Sequence, residues 1–426
     1  MPRNRMIACL LLAGFWAAPA AVRAHLKATP GDWPGWRGPD RTGVSAETGL
    51  LKEWPKGGPK LLWKATGLGG GYSTPSVAGG RIFVMGSKGN EEYVLALDAG
   101  DGRILWSTKV GAVGENRGPS YPGPRSTPTV DGDLLYTLGS DGDLVCVETA
   151  TGKLRWRHNL EKEFDGRRGV WAYAESPLLD GDVLVCTPGG PTATLLALHK
   201  KDGRVIWKAV VPGGNVANYA SAIVAEAAGV KQYVQFLGTC VVGVSARDGK
   251  VLWRYRKNIG GANCATPIFH DGCVFATASA ANSSPDAGGD ALLRLVPHDG
   301  GVKTEEVYLV RGITNHHGGV VRIGEYLYGT GPGGLVCMAF KTGVVRWKHR
   351  SPGGGSVVAA DGRLYLRGDR GDVTLVETSP AGYREKGRFH QPYRSRFPTF
   401  PHPVVANGCL YLRDEDVLLC YDVRAR

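Results

Sequence analysis

Short runs of β-forming residues, separated by turn signals, recur along the whole chain. Within residues 126–157, four such runs are divided by the dipeptides Asp131-Gly132, Asp141-Gly142 and Thr151-Gly152. Alternating β-formers joined by two- or three-residue turns are typical of an antiparallel meander. Residues 25–426 show no long apolar pattern with a period of 3.6, so the sequence predicts few helices.

The last run of this unit carries a tryptophan, and its spacing recurs. In five copies a glycine lies six residues after a small or thiol residue, and a tryptophan follows four residues later; these tryptophans are Trp106, Trp156, Trp207, Trp253 and Trp347. Self-similar four-stranded meanders with a period of about 40–50 residues are characteristic of propeller blades. One blade cannot bury its apolar face alone, so the copies must pack against one another.

Counting the unit gives the number of blades. Its copies open near Ser73, Ser126, Glu175, Ala220, Cys264, His316, Gly355 and Phe400. The eighth copy supplies three strands, whereas residues 60–64, with Trp63, form an orphan copy of the fourth strand. The sequence therefore predicts an all-β, eight-bladed β-propeller of four-stranded antiparallel blades, closed by the N-terminal strand joining the last blade. Closure would protect strand edges.

The repeated tryptophans are interpreted as structural side chains. A ring on each outer strand can fill the gap between blades and bury on the order of 200 Å². The predicted docking set is Trp63, Trp106, Trp156, Trp207, Trp253 and Trp347. Two blades lack the tryptophan and have Tyr308 and Phe389 near its place. Trp33 and Trp36 lie outside the repeats, and we expect them to contribute less to stability.

The N-terminal residues are typical of an export signal. Arg3 and Arg5 precede an apolar run at residues 6–18, which is too short to span a bilayer, and a small-x-small site follows at residues 22–24. The predicted organisation is a signal peptide at 1–24, an N-terminal extension at 25–59 and the propeller at 60–426. We expect a monomer in the periplasm or cell envelope, soluble after cleavage and without a transmembrane segment.

Charge and cysteines narrow the function further. The net charge of +12 is spread along the sequence, apart from a modest basic cluster at residues 384–396. Such a distribution is typical of a solvated basic face, and together with the export signal it argues against a nucleic-acid partner. Cys146, Cys337 and Cys420 occupy the small-residue slot of the repeat, which favours buried thiols. Cys409 and Cys420 flank a hairpin and could form a disulfide. No C-x-x-C, adjacent cysteine pair or His-rich metal signature occurs.

The repeat A-x-D-x-x-T-G-x-x-x-W resembles the docking motif of the pyrroloquinoline-quinone (PQQ)-like β-propellers over residues 60–426. That superfamily includes quinoprotein alcohol dehydrogenases and the propeller lipoprotein of the outer-membrane β-barrel assembly machinery. The opening at residues 33–39 also resembles exported propellers of unknown role. Because the motif serves packing, the resemblance implies a fold and says little about activity.

Non-repeating residues at the channel mouth are the candidate ligand site. The first strand of each blade lines the channel, and several strands open with large or polar residues where most copies are small: Tyr72, Arg125, Tyr173, Glu175, Tyr219, Asn263, His316, His317 and His402. Such a ring could bind a polar, planar or anionic ligand. Adjacent strand residues face opposite sides, so at most one of His316 and His317 can enter the channel.

The resemblance also implies a quinone at this mouth, held by an arginine, an underlying tryptophan and Ca²⁺ on a glutamate and an asparagine. Arg125, Glu175 and Asn263 have suitable side chains. The chain departs from the dehydrogenases because it lacks their adjacent cysteine pair and an aspartate base at the mouth. We therefore predict a binding or assembly scaffold for a protein partner or a small polar ligand. The alternative is an oxidoreductase using PQQ and Ca²⁺ on an alcohol or sugar; a hydrolase or lyase has no nucleophile–base constellation.

Overall fold

A computed structural model describes residues 29–117, 121–214, 216–279, 287–316 and 319–425. The predicted signal peptide at 1–24 and His317 lie outside these ranges. Within them the chain forms 33 strands and one short helix, α1 (Leu160–Phe164). The strands pair into eight sheets, which confirms the predicted all-β, eight-bladed propeller.

The strands follow one another as antiparallel meanders. Two strands precede the blades: β1 (Val44–Ser45) and β2 (Lys60–Ala65). Blade 1 contains β3 (Ser76–Ala78), β4 (Arg81–Lys88), β5 (Glu91–Asp98) and β6 (Ile104–Ala112). Blade 2 contains β7 (Thr129–Asp131), β8 (Leu134–Leu138), β9 (Asp143–Glu148) and β10 (Leu154–Asn159). Blade 3 contains β11 (Leu178–Asp180), β12 (Val183–Cys186), β13 (Leu195–His199) and β14 (Val205–Ala209).

The remaining blades repeat this order. Blade 4 contains β15 (Ile223–Ala227), β16 (Val230–Phe236), β17 (Val241–Ser245) and β18 (Val251–Tyr255). Blade 5 contains β19 (Ile268–His270), β20 (Cys273–Ala278), β21 (Gly289–His298) and β22 (Gly301–Val310). Blade 6 contains β23 (Val320–Ile323), β24 (Tyr326–Gly331), β25 (Gly334–Ala339) and β26 (Val345–His349). Blade 7 contains β27 (Gly355–Ala360), β28 (Arg363–Gly368), β29 (Asp372–Glu377) and β30 (Glu385–His390). Blade 8 contains β31 (Val404–Ala406), β32 (Cys409–Asp414) and β33 (Val417–Asp422).

The ring closes as the sequence predicts. Strand β2 pairs antiparallel with β33, with Lys60 opposite Asp422 and Ala65 opposite Leu418, and thereby completes blade 8. One addition was not predicted, because β1 pairs parallel with β27 and makes blade 7 five-stranded. The first and last parts of the chain are thus joined through backbone hydrogen bonds.

Tryptophans on the outer strands connect neighbouring blades. The indole Nε1 atoms of Trp63, Trp106, Trp156, Trp207 and Trp347 donate to backbone carbonyls of the following blade at 2.8–3.2 Å. Each of the first four rings covers the glycine of the next repeat. A Cβ at Gly102, Gly152, Gly203 or Gly249 would come within 2.6–3.0 Å of an indole carbon, and all four glycines have positive φ. The glycine is therefore required both by its backbone conformation and by the ring.

Three blade boundaries depart from this pattern. The hydroxyl of Tyr308 donates to the Phe340 carbonyl at 2.8 Å, and the Tyr308 ring covers Gly343. Phe389 similarly covers Gly58. Trp253 differs from its sister residues because its Nε1 donates to the Gln232 side chain of its own blade at 2.6 Å.

The N-terminal extension crosses the central channel as a segment that we call the strap (residues 31–51). Its bonds reach the inner strand, or a residue beside it, of every blade. In blade order, Trp33 pairs with Val77, Pro34 with Val130, Arg41 with Ser176, Pro177 and Ala222, Trp36 with Thr266, Arg37 with Val320, Val44 with Ala359, and Glu47 with Asn407. Because the inner strands line the channel, a segment bonded to all eight blades must run across it.

The strap corrects the expectation for Trp33. Its side chain is 1% exposed, less than the 9% of Trp156, and its ring packs against Gly38 within the strap. Spacing alone had placed it outside the repeating core. We now expect Trp33 to stabilise the fold as strongly as a repeated tryptophan.

The described cysteines are all free. The disulfide considered between Cys409 and Cys420 is not formed, although the register of β32 and β33 leaves the two thiols within hydrogen-bonding reach of each other. Within the described ranges, no helix is long and apolar enough to cross a bilayer.

Candidate functional site

A cavity of about 270 Å³ lies at one mouth of the ring, where the inner strands begin. Six of its fourteen lining residues are tryptophan, tyrosine or phenylalanine: Trp36, Tyr72, Tyr121, Trp171, Tyr219 and Phe400. Its polar lining includes Thr74, Arg125, Ser221, Cys264, His316 and His402. The cavity thus combines an apolar aromatic surface with a few cationic or titratable groups, as small-molecule sites commonly do.

Strand alternation explains which side chains reach this cavity. Residues two apart face the same side of an extended segment, and the cavity is lined by such pairs in the segments just before inner strands, at 72/74, 219/221, 262/264 and 400/402. The intervening residues bond inside the blades: the Ser73 hydroxyl accepts the Met85 amide at 3.1 Å, and the Asn263 side chain donates to the Leu237 carbonyl at 2.8 Å.

Hydroxyl groups on the inner strands connect the blades below the mouth. The Oγ atoms of Thr74, Ser176 and Ser221 each accept a backbone N–H from the preceding blade at 2.9 Å. The donors are the amides of His402, Thr127 and Ser176. These bonds hold neighbouring inner strands at fixed separation, so the cavity rests on a rigid support.

Arg125 is the main charged group of the cavity. Its guanidinium donates to the backbone carbonyls of Gly123, at 3.1 Å, and Tyr121, and contacts the Asn116 amide oxygen at 3.4 Å. No carboxylate in the described part of the chain lies within ion-pair distance of it. Burial lowers the pKa of Arg125, and its Cζ lies 5.6 Å from the centre of the Tyr72 ring. Glu92 attracts this half-buried cation from a distance, but its hydrogen bonds go only to neutral oxygens, so an anionic ligand could form charge-assisted bonds with it.

Two neighbouring groups also have unused hydrogen-bonding capacity. Tyr72 is 5% exposed, and its hydroxyl has no hydrogen-bond partner in the described residues; the same is true of the Trp171 indole nitrogen. Burial raises the pKa of Tyr72, so its hydroxyl stays protonated and can donate. Buried polar groups are usually paired, so these two donors point to a ligand or an ordered solvent molecule.

Aromatic contacts fix the shape of the wall. The rings of Tyr72 and Phe400 are 5.2 Å apart, those of Tyr121 and Phe400 5.6 Å, and those of Trp171 and Tyr219 5.6 Å. All three pairs are tilted or edge-on, the arrangement that aromatic pairs prefer. The cavity is therefore bounded by side chains that restrain one another.

Trp36 of the strap bounds the deep end of the cavity. Its Nε1 donates to the Thr266 hydroxyl at 2.8 Å, and its ring centre lies 4.6 Å from that of His402. Trp36 also lines a second cavity of about 600 Å³, formed by the strap and later residues of the inner strands. The indole thus stands between the two cavities.

Three predicted site residues do not line the cavity. The hydroxyl of Tyr173 donates to the Pro188 carbonyl at 2.9 Å inside its blade. Asn263 accepts the Gly260 amide and donates to the Leu237 carbonyl at 2.9 and 2.8 Å. Glu175 faces inward as well, so the sequence placed all three one residue out of register, whereas Tyr72, Arg125, Tyr219, His316 and His402 do meet at the cavity.

Glu175 is committed to a buried network. One carboxylate oxygen accepts the Thr187 amide, and the other accepts the Thr187 hydroxyl at 2.7 Å and the Gln235 amide at 3.0 Å. Burial raises the pKa of Glu175 to about 7, although these bonds and the nearby Arg41 charge oppose the rise. The carboxylate is therefore partly protonated near neutral pH.

The residues present do not fit a Ca²⁺ site at the mouth. The oxygens of Glu175 and Asn263 already accept hydrogen bonds inside the blades, so neither is directed to a cation in the cavity. In the ranges that the structure describes, no cluster of three His, Cys, Asp or Glu side chains could hold a metal ion. The cavity could accept the planar, anionic part of a quinone, but it does not supply the calcium ligands.

Sequence reasoning missed several wall residues. Phe400 and Cys264 stood at predicted strand openings but were not assigned to the site. Tyr121 and Trp171 lie on loops before the inner strands, where the repeat gives no register. Trp36 belongs to the strap, whose course across the channel has no signal in the repeat pattern.

Comparisons with known proteins agree with the propeller fold. The profile of a family described as outer membrane protein assembly factor BamB matches residues 38–120 and 90–349, more than half of the chain. A polyvinylalcohol dehydrogenase from a Pseudomonas species is 25% identical over 262 residues, which cover 46% of this chain and 41% of that protein. The chain thus aligns with less than half of this relative.

Two solved structures share the architecture at low identity. BamB from Moraxella catarrhalis has a TM-score of 0.54 and 14% identity, covering 80% of this chain and 94% of that one. The quinohemoprotein alcohol dehydrogenase from Comamonas testosteroni has a TM-score of 0.59 and 12% identity, covering 93% and 81%. At such identities the likeness concerns the fold alone.

Proposed function

The chain belongs to the PQQ-like β-propeller family described as outer membrane protein assembly factor BamB, and from this premise we propose that it is an exported binding propeller of the cell envelope. Its mouth cavity holds a small planar anion, and the ring around it serves as the scaffold. The signal-like residues 1–24 support export, because a charged start, a short apolar core and a small-residue exit are the features of a secretory signal.

Arg125 is the observation that carries this proposal. Its half-buried guanidinium lies beside the Tyr72 ring, donates only to neutral oxygens, and is close to the unpartnered hydroxyl of Tyr72. An anion placed against these donors would gain charge-assisted hydrogen bonds, which are stronger than those to the neutral oxygens. The guanidinium supplies a planar set of donors that suits a carboxylate or sulfonate, while the surrounding rings favour a flat apolar body.

An oxidoreductase remains the second candidate, favoured by the similarity to a polyvinylalcohol dehydrogenase. The Trp36 ring and the Arg125 charge would suit the flat, anionic body of PQQ. The inward-facing Glu175 and Asn263 argue against a calcium-assisted reaction, so we derive no catalytic step.

The test is a fluorescence titration of the purified protein with 8-anilinonaphthalene-1-sulfonate (ANS), a sulfonate carried on an aromatic ring system. We expect one site per chain, and we expect Arg125→Gln to weaken binding by at least about tenfold, since a buried charge-assisted bond is lost. Arg103→Gln is the matched control, because Arg103 is exposed beside Asp101 on the outer part of blade 1.

Two results would overturn the proposal. Equal ANS affinity in wild type and Arg125→Gln would mean that the probe binds elsewhere. Dye-linked oxidation of an alcohol that requires both PQQ and Ca²⁺ would instead favour the enzyme.

A further inference from the structure

The position of Trp36 between two cavities suggests what kind of molecule the mouth can hold. The mouth cavity, of about 270 Å³, is less than half the size of the cavity beyond the strap, of about 600 Å³. Trp36 is the one described residue that lines both. Trp36 is therefore a boundary that the two cavities share.

The indole is held in place from both sides. Its N–H donates to Thr266 on blade 5, and its ring contacts His402 on blade 8, so it is anchored to two blades that are not neighbours. The adjacent strap residues are fixed too, because Pro34 bonds to Val130 and the buried Arg37 bonds to Val320. A side chain restrained in this way acts as a wall and does not move aside at low cost.

The far side of the wall is chemically different. The second cavity is lined by strap residues such as Pro34, Gly35 and Arg41 and by apolar inner-strand residues such as Ile223 and Phe269. A ligand whose acid group is held at Arg125 could extend into this space only if the indole were absent.

We propose, on the basis of the function proposed above, that Trp36 is the specificity-determining residue of the mouth cavity and limits its ligands to compact aryl acids. The acid group contacts Arg125 and the Tyr72 hydroxyl, and the ring lies against the aromatic wall with Trp36 at its end. Longer aryl-alkyl acids are excluded because their chains meet the indole.

The test measures displacement of ANS by benzoate, phenylacetate, 4-phenylbutyrate and 8-phenyloctanoate. For the wild type we expect the short acids to displace ANS and the affinity to fall for 8-phenyloctanoate. For Trp36→Ala we expect 8-phenyloctanoate to gain at least about tenfold, while benzoate changes by less than about threefold. Trp36→Phe keeps a ring at this position and should retain the wild-type order of affinities.

Each outcome separates this inference from the function on which it depends. ANS binding that is insensitive to Arg125→Gln contradicts the proposed function. Arg125-dependent binding with the same length preference in wild type and Trp36→Ala contradicts the role of Trp36 alone. If Trp36→Ala does not fold, Trp36→Leu replaces it, since leucine keeps apolar contact with the strap and shortens the wall; an unchanged preference in that variant overturns the inference equally.

Discussion

Replacing Trp156 by alanine should reveal how strongly adjacent blades depend on one another. The side chain is 9% exposed, its ring lies over Gly203, and its Nε1 donates to the Lys200 carbonyl at 2.9 Å. Removing a buried tryptophan side chain leaves a cavity that costs about 3–5 kcal/mol. The lost hydrogen bond adds about 1 kcal/mol, because the Lys200 carbonyl faces the emptied space.

The expected total of about 4–6 kcal/mol is a large share of a typical unfolding free energy of about 5–15 kcal/mol. Denaturant unfolding of wild type and Trp156→Ala measures the difference, with Trp156→Phe retaining most of the packing. Leu154→Ala on the same strand is the control, since Leu154 is 42% exposed and should change stability by less than about 0.5 kcal/mol. A loss below about 1.5 kcal/mol for Trp156→Ala would refute the docking role.

Three further predictions concern closure, the strap and a buried carboxyl group. A chain starting at Gly67 lacks β2 and should be strongly destabilised in thermal unfolding; a fully stable truncated monomer would contradict closure. Trp33→Ala should cost about 3–5 kcal/mol in denaturant unfolding, equal to the cavity cost of Trp156→Ala without a lost hydrogen bond, and a marginal effect would show that the strap is dispensable. Because burial raises the pKa of Glu175 from 4.5 to about 7, its protonated form stabilises the fold below pH 4.5, and this contribution is lost as the pH rises through 7. Glu175→Gln should reduce the pH dependence of the unfolding free energy between pH 4.5 and pH 7. An unchanged pH dependence would exclude the raised pKa.

Much of the fold could be predicted from the sequence because it depends on local, repeated signals. The spacing of the glycine and Trp156 reflects a ring that lies over the next blade's glycine, so each repeat reports the same contact. Trp63 indicated how the ring closes for the same reason. It lies on β2, which copies the fourth strand of a blade and completes blade 8. Trp253 shows the limit of the argument, because it has the same spacing but bonds to Gln232 of its own blade.

The candidate site could be predicted only in part because side-chain direction alternates along a strand. Arg125 and Tyr219 line the cavity. Glu175 follows the cavity-lining residue Ala174 in the sequence, and its side chain points into its own blade. A shift of one residue exchanges the two faces, and composition does not reveal it. Trp36 could not be placed, because the strap follows no period and its position depends on long-range bonds to Thr266 and to the other blades.

The most direct test of the central claim is displacement of ANS by PQQ, measured with excess CaCl₂ or with EDTA. A mouth cavity that recognises a planar anion through Arg125, without calcium ligands, predicts equal displacement in both buffers. It also predicts the same result for wild type and Glu175→Gln. Displacement that requires Ca²⁺ and disappears in Glu175→Gln would contradict the account and identify a quinoprotein site.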